Sequence, residues 1–425
     1  MPKIQDHPLR YKLANELHAR PFPSIEAPCT AVFLAIKKTK DATQHNQQED
    51  YAHLITLLDQ YGAPHPEANA THYSGQIGRH HLKWEQHTEF VTYTAFTTGA
   101  TEKPYDSTEF DIFPQDWLVS TPGNRMTSAF LRIEEITSTE EINQKLSDWF
   151  VPESLAASWI LDGEGIAAGD FRIDPAGHLR FAIFVKPNTA VRRIGRVVQR
   201  LCEIEIYKAM SMLGFSMVKN LSLQINILDV QLTTLTGEMA AGETPAEETL
   251  PKLLSISAEL EEITARCAFR LGATEAYEAI VTQRIAALRE KRLDGRQTFS
   301  EFMVRRYEPA MRTVKSTEKR IQSLAHRAQR ASSLLRTMVD VKRNAQNQKL
   351  LESMNKRADL QLRLQRTVEG LSVVAISYYA VSLLAYLINP LSETIGLTES
   401  VLTAIMTFPI VLVVWWFIRQ IRKLE

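Results

Sequence analysis

Gly370 to Ile388 reads GLSVVAISYYAVSLLAYLI, and Val401 to Ile418 reads VLTAIMTFPIVLVVWWFI. Neither stretch contains a charged residue. As helices at about 1.5 Å per residue, each covers roughly 27 Å, close to the hydrocarbon thickness of a bilayer. Trp415, Trp416 and Phe417 close the second stretch, where aromatic belts form, and Pro409 would kink it. The pair is therefore expected to form two transmembrane helices, with spans at about 370–388 and 401–418. The competing reading is an apolar hairpin buried in a soluble fold.

Flanking charge orients the hairpin. Arg363 and Arg366 precede the first span, and Arg419, Arg422 and Lys423 follow the second. The connection from Asn389 to Ser400 has no Lys or Arg and carries Glu393 and Glu399. The positive-inside rule then puts both termini in the cytoplasm and the acidic loop outside. The N-terminal MPKIQDHPLRYK lacks the apolar core of a signal peptide. Three scattered cysteines, Cys29, Cys202 and Cys267, suit a reducing compartment and argue against a disulfide framework or an all-cysteine zinc cluster. The expected location is a bacterial inner membrane.

Outward from the spans, charge is segregated along the 425 residues although the total is zero. Residues 1–188 hold 16 basic and 25 acidic residues, net −9, whereas 301–366 hold 16 and 6, net +10. A globally basic nucleic-acid binder and an acidic disordered chain are both disfavoured, so no nucleic acid is expected as a partner. The predicted organisation is a cytosolic head over 1–188, a helical middle over 189–300, a long basic stalk helix over 301–366, and the transmembrane hairpin over 367–425.

In the head, His7–His18 and Asp50–Tyr61 have helical spacing. Thr30–Ile36, His81–Trp84, Glu89–Phe96, Ser128–Glu134, Ser158–Leu161, Gly169–Ile173 and Leu179–Val185 read as strands. Asp174-Pro-Ala-Gly is a turn that pairs the last two. Strands joined by short turns predict an α+β head on a largely antiparallel sheet. In the middle, Thr189–Gly214, Leu221–Glu238, Glu247–Leu271 and Ala276–Arg289 are expected as separate helices, with Gly214 and Gly272 among the breaks. The stalk repeats Leu324, Ala331, Met338 and Ala345 every seven residues, with Ala328 and Leu335 between, then drifts to Leu351, Met354 and Ala358. Such a thin seam needs the middle helices or other subunits to cover it, so a homo-oligomer is expected.

The order of parts resembles the CorA family of magnesium and zinc transporters. That family ends its first span in Tyr-Gly-Met-Asn at the outer mouth of a pentameric pore; here Tyr386, Leu387, Ile388 and Asn389 stand in that place, and Gly and Met do not match. The resemblance implies a divalent-cation transporter or channel carrying Mg or Zn. On a helical wheel Ser382 and Asn389 lie within about 20° of each other, and Tyr378 lies about 40° from Ser382. Asn389, Ser382, Tyr378 and Tyr386 are therefore pore-lining candidates, and Glu393 and Glu399 could attract cations outside. The alternative is that Ser and Tyr pack helices and Asn389 caps the span.

A second resemblance runs along nearly the whole chain. HPLRYKLANELHARP (His7–Pro21), LKWEQHTEF (Leu82–Phe90) and LQRTVEGLSVVAISYY (Leu364–Tyr379) are similar to a bacterial family of uncharacterised membrane-anchored proteins. That resemblance implies attachment to a lipid bilayer and names no reaction.

Nine of the eleven histidines precede residue 88. His18 follows Glu16 and precedes Arg20; Glu85, His87 and Glu89 alternate along a strand and would share one face. Imidazole and carboxylate together can bind zinc or similar metals, so His18, Glu85, His87 and Glu89 are metal candidates; the alternative is the wet face of a sheet. HExxH, GxxxxGK and GxSxG are absent, and no nucleophile–base pair can be argued from spacing. The chain is read as non-enzymatic, with no cofactor required. If it does not conduct ions, a scaffold or sensor whose head binds a cytosolic protein or a metal is the rival; an enzyme would need His18, Arg20, Glu85 and His87 in one pocket.

Overall fold

The computed structural model describes residues 4–16, 22–38, 47–68, 70–395 and 399–421. It divides into two units, Met1–Ala240 with Lys252–Arg330, and Ala241–Pro251 with Ala331–Glu425. The first unit opens on α1 (Arg10–Glu16) and is organised around β1 (Cys29–Lys37). The run CTAVFLAIK is apolar at nearly every position, as a strand covered on both faces must be. After α2 (Gln47–Gln60), β2 (His72–Ile77), β3 (His80–Gln86) and β4 (Phe90–Thr98) follow through short turns. Gly78 holds the β2–β3 turn at φ +54°, the left-handed region that a tight hairpin requires.

The chain continues through α3 (Gln115–Val119), β5 (Asn124–Glu135), α4 (Thr139–Trp149), β6 (Ala156–Ile160), β7 (Gly165–Gly169) and β8 (Leu179–Val185). Helices α5 (Val191–Ala241) and α6 (Ala246–Ala286) come next, then a two-residue strand, β9 (Lys291–Arg292). The strands form one nine-stranded sheet in the order β2-β3-β4-β1-β5-β8-β7-β6-β9.

This sheet is mixed, which corrects in part the expectation of a largely antiparallel one: seven of its eight neighbouring pairs are antiparallel and one is parallel. β5 and β8 run parallel, while the other neighbours are antiparallel. Parallel neighbours need a long crossover, and α4 with the β6–β7 pair supplies it. The hairpin partner of β8 is Gly165–Gly169 rather than 169–173. Its sequence, GIAAG, has only Ile166 of the β-branched bulk that marks a strand, yet the small residues fit the packing: a Cβ on Gly169 would fall 2.6 Å from the Phe181 ring. β2 carries no expected strand either, because HYSGQI is mostly polar.

One face of the sheet is apolar. Val32, Leu34, Ile36, Leu82, Trp84 and Tyr93 meet Leu54, Leu57 and Leu58 of α2 and Trp117 of α3. Further along, Ala182 and Phe184 meet Ile142 and Leu146 of α4, which starts on a Ser138 cap.

On the other face lies α5. It is unbroken through Gly214, which was expected to end it. A Cβ there would sit 2.2 Å from Thr274 Oγ1, so Gly214 serves close packing of α5 on α6. Likewise α6 continues through Gly272. Gln224 of α5 donates to Glu259 of α6 at 2.6 Å. A capping box of Thr298 and Glu301 starts α7 (Phe299–Arg306), and α8 (Glu308–Ile395) follows after Tyr307. Asp229 of α5 receives Arg320 at 2.8 Å and Arg327 at 3.1 Å from α8, where Leu324 and Ala328 are buried.

In the second unit Lys342 of α8 donates to Glu247 at 3.0 Å. The seven-residue stripe is buried at Ala331 and Leu335 and exposed at Met338, Leu351 and Met354. α9 (Glu399–Ile421) ends the described chain, with Arg419 over the Trp415 ring. Among the described residues two helices, α8 and α9, contain segments long and apolar enough to cross a membrane. Both stretches present Leu, Val, Ile and aromatic side chains outward, and Ser377 is buried among them. α8 runs through Asn389 and Pro390, so the helix continues beyond the expected end of the first span at Ile388.

Candidate functional site

Period-two alternation in β3 builds the site. Leu82 and Trp84 point into the apolar core, so Lys83 and Glu85 point to the opposite face. In β4, Val91, Tyr93 and Ala95 take the core side, and Thr92, Thr94 and Phe96 take the other. Helices α5 and α6 cover this second face but do not fill it. A cleft of about 520 Å³ is left between the strands and residues 198–207 and 283–287. Phe22 and Pro23 stand at its edge, where a Cβ on Gly195 of α5 would fall 1.7 Å from the Pro23 carbonyl oxygen. Glycine at 195 is what lets this N-terminal strand of chain cross the helix so closely.

A chain of polar contacts spans the cleft. Lys83, buried, binds Glu85 Oε1 at 3.1 Å and donates to Gln199 Oε1 at 2.9 Å. Gln199 donates to Glu203 Oε1 at 2.8 Å, and Glu203 is paired with Arg284 of α6. Arg200 donates to the Ala287 carbonyl at 2.8 Å. Burial first, then the neighbouring Arg196 and Arg284 charges, pull the Arg200 guanidinium below its ordinary range. Cys202 also lines the cleft; burial, reinforced by the charge of Glu203, pushes its thiol up, so it stays protonated near neutral pH and is a poor nucleophile. His87 stacks on Phe90 at 4.4 Å and meets the Tyr207 ring edge-on at 6.3 Å.

The cleft thus offers cations (Lys83, Arg200, Arg284), carboxylates (Glu85, Glu203), amides and aromatic surface within one volume. Such a lining can hold a small polar molecule at both ends of its charge distribution.

Of the residues singled out in the sequence, Glu85 and His87 come together here. Glu85 is mostly buried in the cleft, whereas His87 is partly exposed. Glu89 goes elsewhere. It follows β3 rather than continuing it, and its buried carboxylate receives both guanidinium nitrogens of Arg270, accepts from Tyr277 Oη at 2.9 Å and lies 3.9 Å from Lys37 Nζ. His18 and Arg20 lie outside the described residues. Among the described residues no group of three His, Cys, Asp or Glu is arranged to hold a metal ion.

Tyr378 and Tyr386 are exposed on α8, Tyr378 packs edge-on against Tyr379 at 5.9 Å, and Ser382 is half-buried. The side chains of Asn389, Glu393 and Glu399 lie outside the described residues. Lys83, Gln199, Glu203 and Arg284 were not singled out from the sequence. Lys83 could have been, because a lysine between Leu82 and Trp84 in a strand must face away from the core they enter. Gln199 and Glu203, one helical turn apart, carried no sign of which element they would meet.

A model for a protein of unknown function, DUF3422, matches residues 5–424. The chain belongs to the DUF3422 family. This agrees with the resemblance to an uncharacterised family carried by His7–Pro21, Leu82–Phe90 and Leu364–Tyr379. No curated protein and no solved structure matches the chain. The DUF3422 match extends over the cleft and both apolar helices alike.

Proposed function

We propose that this DUF3422 protein is a membrane-anchored binding protein. Its apolar helices hold it in a bacterial inner membrane with both termini cytoplasmic, and the cleft of its cytosolic head takes up a small zwitterion, as a sensor would. The observation that carries this reading is the cleft itself. Lys83, Glu85, Glu203 and Arg284 are held by one another and by Gln199 around an open volume, so cationic and anionic partners are preorganised before a ligand arrives. Purified full-length protein is expected to gain thermal stability with particular free amino acids, and Arg284→Met should remove that gain. A wild-type protein that no zwitterion stabilises overturns the binding reading. Recovery of the intact chain in the soluble fraction without detergent overturns the anchor.

The continuity of α8 favours a second reading, a CorA-like oligomeric cation pathway. One helix carries the basic stem and the apolar segment with Tyr378, Ser382 and Tyr386, as a stalk leading into a pore would. It requires a ring assembly and flux of Mg or Zn in liposomes that falls in Asn389→Ala. A monomer, or no flux, removes it.

A further inference from the structure

Away from the cleft, a second concavity of about 760 Å³ opens between the end of β1, the start of β5, and helices α5 and α6. Its floor is apolar. Leu213, Met217 and Leu221 recur every four residues along α5, and Met126 and the half-exposed Phe269 complete it. The eight helical rises from Leu213 to Leu221 make that stripe about 12 Å long.

Its walls carry Lys37, Lys38, Arg125, Arg266 and Arg270, and no carboxylate is among the described lining residues. Among the described residues, carboxylates reach these cations from outside the lining. Buried Glu89 serves both Arg270 and Lys37, Glu49 pairs with Lys38, and Glu262 reaches Arg266 at 3.6 Å from an exposed position. The wall is thus a run of five cations that meets acidic partners only around its outside among the described residues. Arg125 forms no ion pair with a carboxylate among the described residues, and it stands beside Gly177 at the edge of the same concavity. A cationic rim over an apolar trough fits a ligand with one anionic end and one alkyl end.

We propose that this groove binds an amphiphilic anion: an alkyl chain along Leu213, Met217 and Leu221, with its carboxylate or phosphate between Arg125 and Lys38. A free fatty acid and an anionic phospholipid share that chemistry. The site is separate from the Lys83–Arg284 cleft, so either can fail without the other.

The test uses full-length protein in nanodiscs of zwitterionic lipid and a decanoate analogue bearing a photoreactive diazirine. Cross-linked peptides are mapped by mass spectrometry. Labelling is expected within Leu213–Leu221 and Ala265–Arg270. Unlabelled decanoate should compete, and decanol should not. Octanoate, two methylenes shorter, should compete about tenfold more weakly. Arg125→Gln with Lys38→Gln should cut labelling about tenfold, since each loses a charge-assisted contact to the anion, whereas Lys83→Met in the other cleft should leave it unchanged. Competition by phosphatidylglycerol placed in the disc assigns the groove to a membrane lipid; competition by free decanoate alone assigns it to a soluble acyl anion. Labelling confined to α9 and the apolar part of α8, labelling unchanged in the double variant, or equal competition by decanol overturns the proposal.

Discussion

The two faces of the sheet are built from the same strands and do opposite work. Toward α2 and α3, β3 and β4 present Leu82, Trp84, Val91 and Tyr93, and the space is closed. Toward α5 and α6, the alternate residues Lys83, Glu85, Thr92 and Thr94 are polar, and about 520 Å³ stays open. Burial of apolar area makes the first face the source of stability. The second face keeps its charges satisfied by one another, which lets it stay polar without unfolding the head. If this division is right, substitutions on the closed face should cost stability, and those on the open face should cost binding.

The largest loss is expected for Trp117→Ala. Trp117 is fully buried, stacks on His53 at 4.0 Å and donates its indole N–H to the His53 carbonyl at 2.8 Å. Removing it should cost about 3–5 kcal/mol, read as a drop in the unfolding midpoint of the full-length protein. A loss under about 1 kcal/mol, as for a surface substitution, would break the division at its strongest point.

Next is Glu89→Ala. Its carboxylate is the shared partner of Arg270, Tyr277 and Lys37. Without it the partly buried Arg270 loses the carboxylate that takes both its guanidinium nitrogens, at a cost of about 3 kcal/mol. Burial, then the charge and hydrogen bond of Glu89, push the Tyr277 hydroxyl up, so its titration should move down in the variant. Ultraviolet titration of tyrosinate reads that shift independently of stability.

A smaller effect is expected from pH. His178 sits between Phe110 and Phe130, and its Nδ1 lies 2.9 Å from Ser128 Oγ. Burial first, then the Arg125 charge, pull it down to about 4 from 6.5. Above pH 6.5 the folded and unfolded states both hold it neutral. Below that, the unfolded state binds the proton first, so stability falls as pH drops from about 6.5 toward 4, by about 2–3 kcal/mol in all. Melting at pH 7 and pH 5 should show the decline in wild type and less of it in His178→Gln; equal slopes remove His178 as the cause.

How far the sequence reveals this molecule follows from which forces are local. β1 and the two apolar helices are legible because their composition alone demands burial or lipid. β6 is legible in Ser158–Leu161, but its partner β7 is hidden because GIAAG is small where a strand is usually bulky, its fit set by Phe181 on a neighbouring strand. Gly214 misleads for a related reason. A glycine after a helical stretch reads as a stop, but Thr274 lies against it from a helix some sixty residues on. Half of the cleft is legible too, since Glu85 and His87 stand out among polar strand residues. Its other half comes from Gln199, Glu203 and Arg284, ordinary helix-surface types until the fold lays α5 and α6 over β3.

The smallest stability change is expected where binding should suffer most. Glu203→Gln keeps the shape and the Gln199 contact but loses the charge facing Arg284. That ion pair is partly solvated, so its loss should cost no more than about 1 kcal/mol. Arg284 would then be freed to draw an anion into the cleft. A zwitterion held by Glu203 through its amino group should bind about tenfold more weakly, the usual scale for one charged hydrogen bond. Thermal-shift titration of wild type and variant separates the two quantities in one experiment. A variant with a strongly lowered melting point and unchanged ligand response would show that Glu203 belongs to the scaffold, and the open face would then be structural as well.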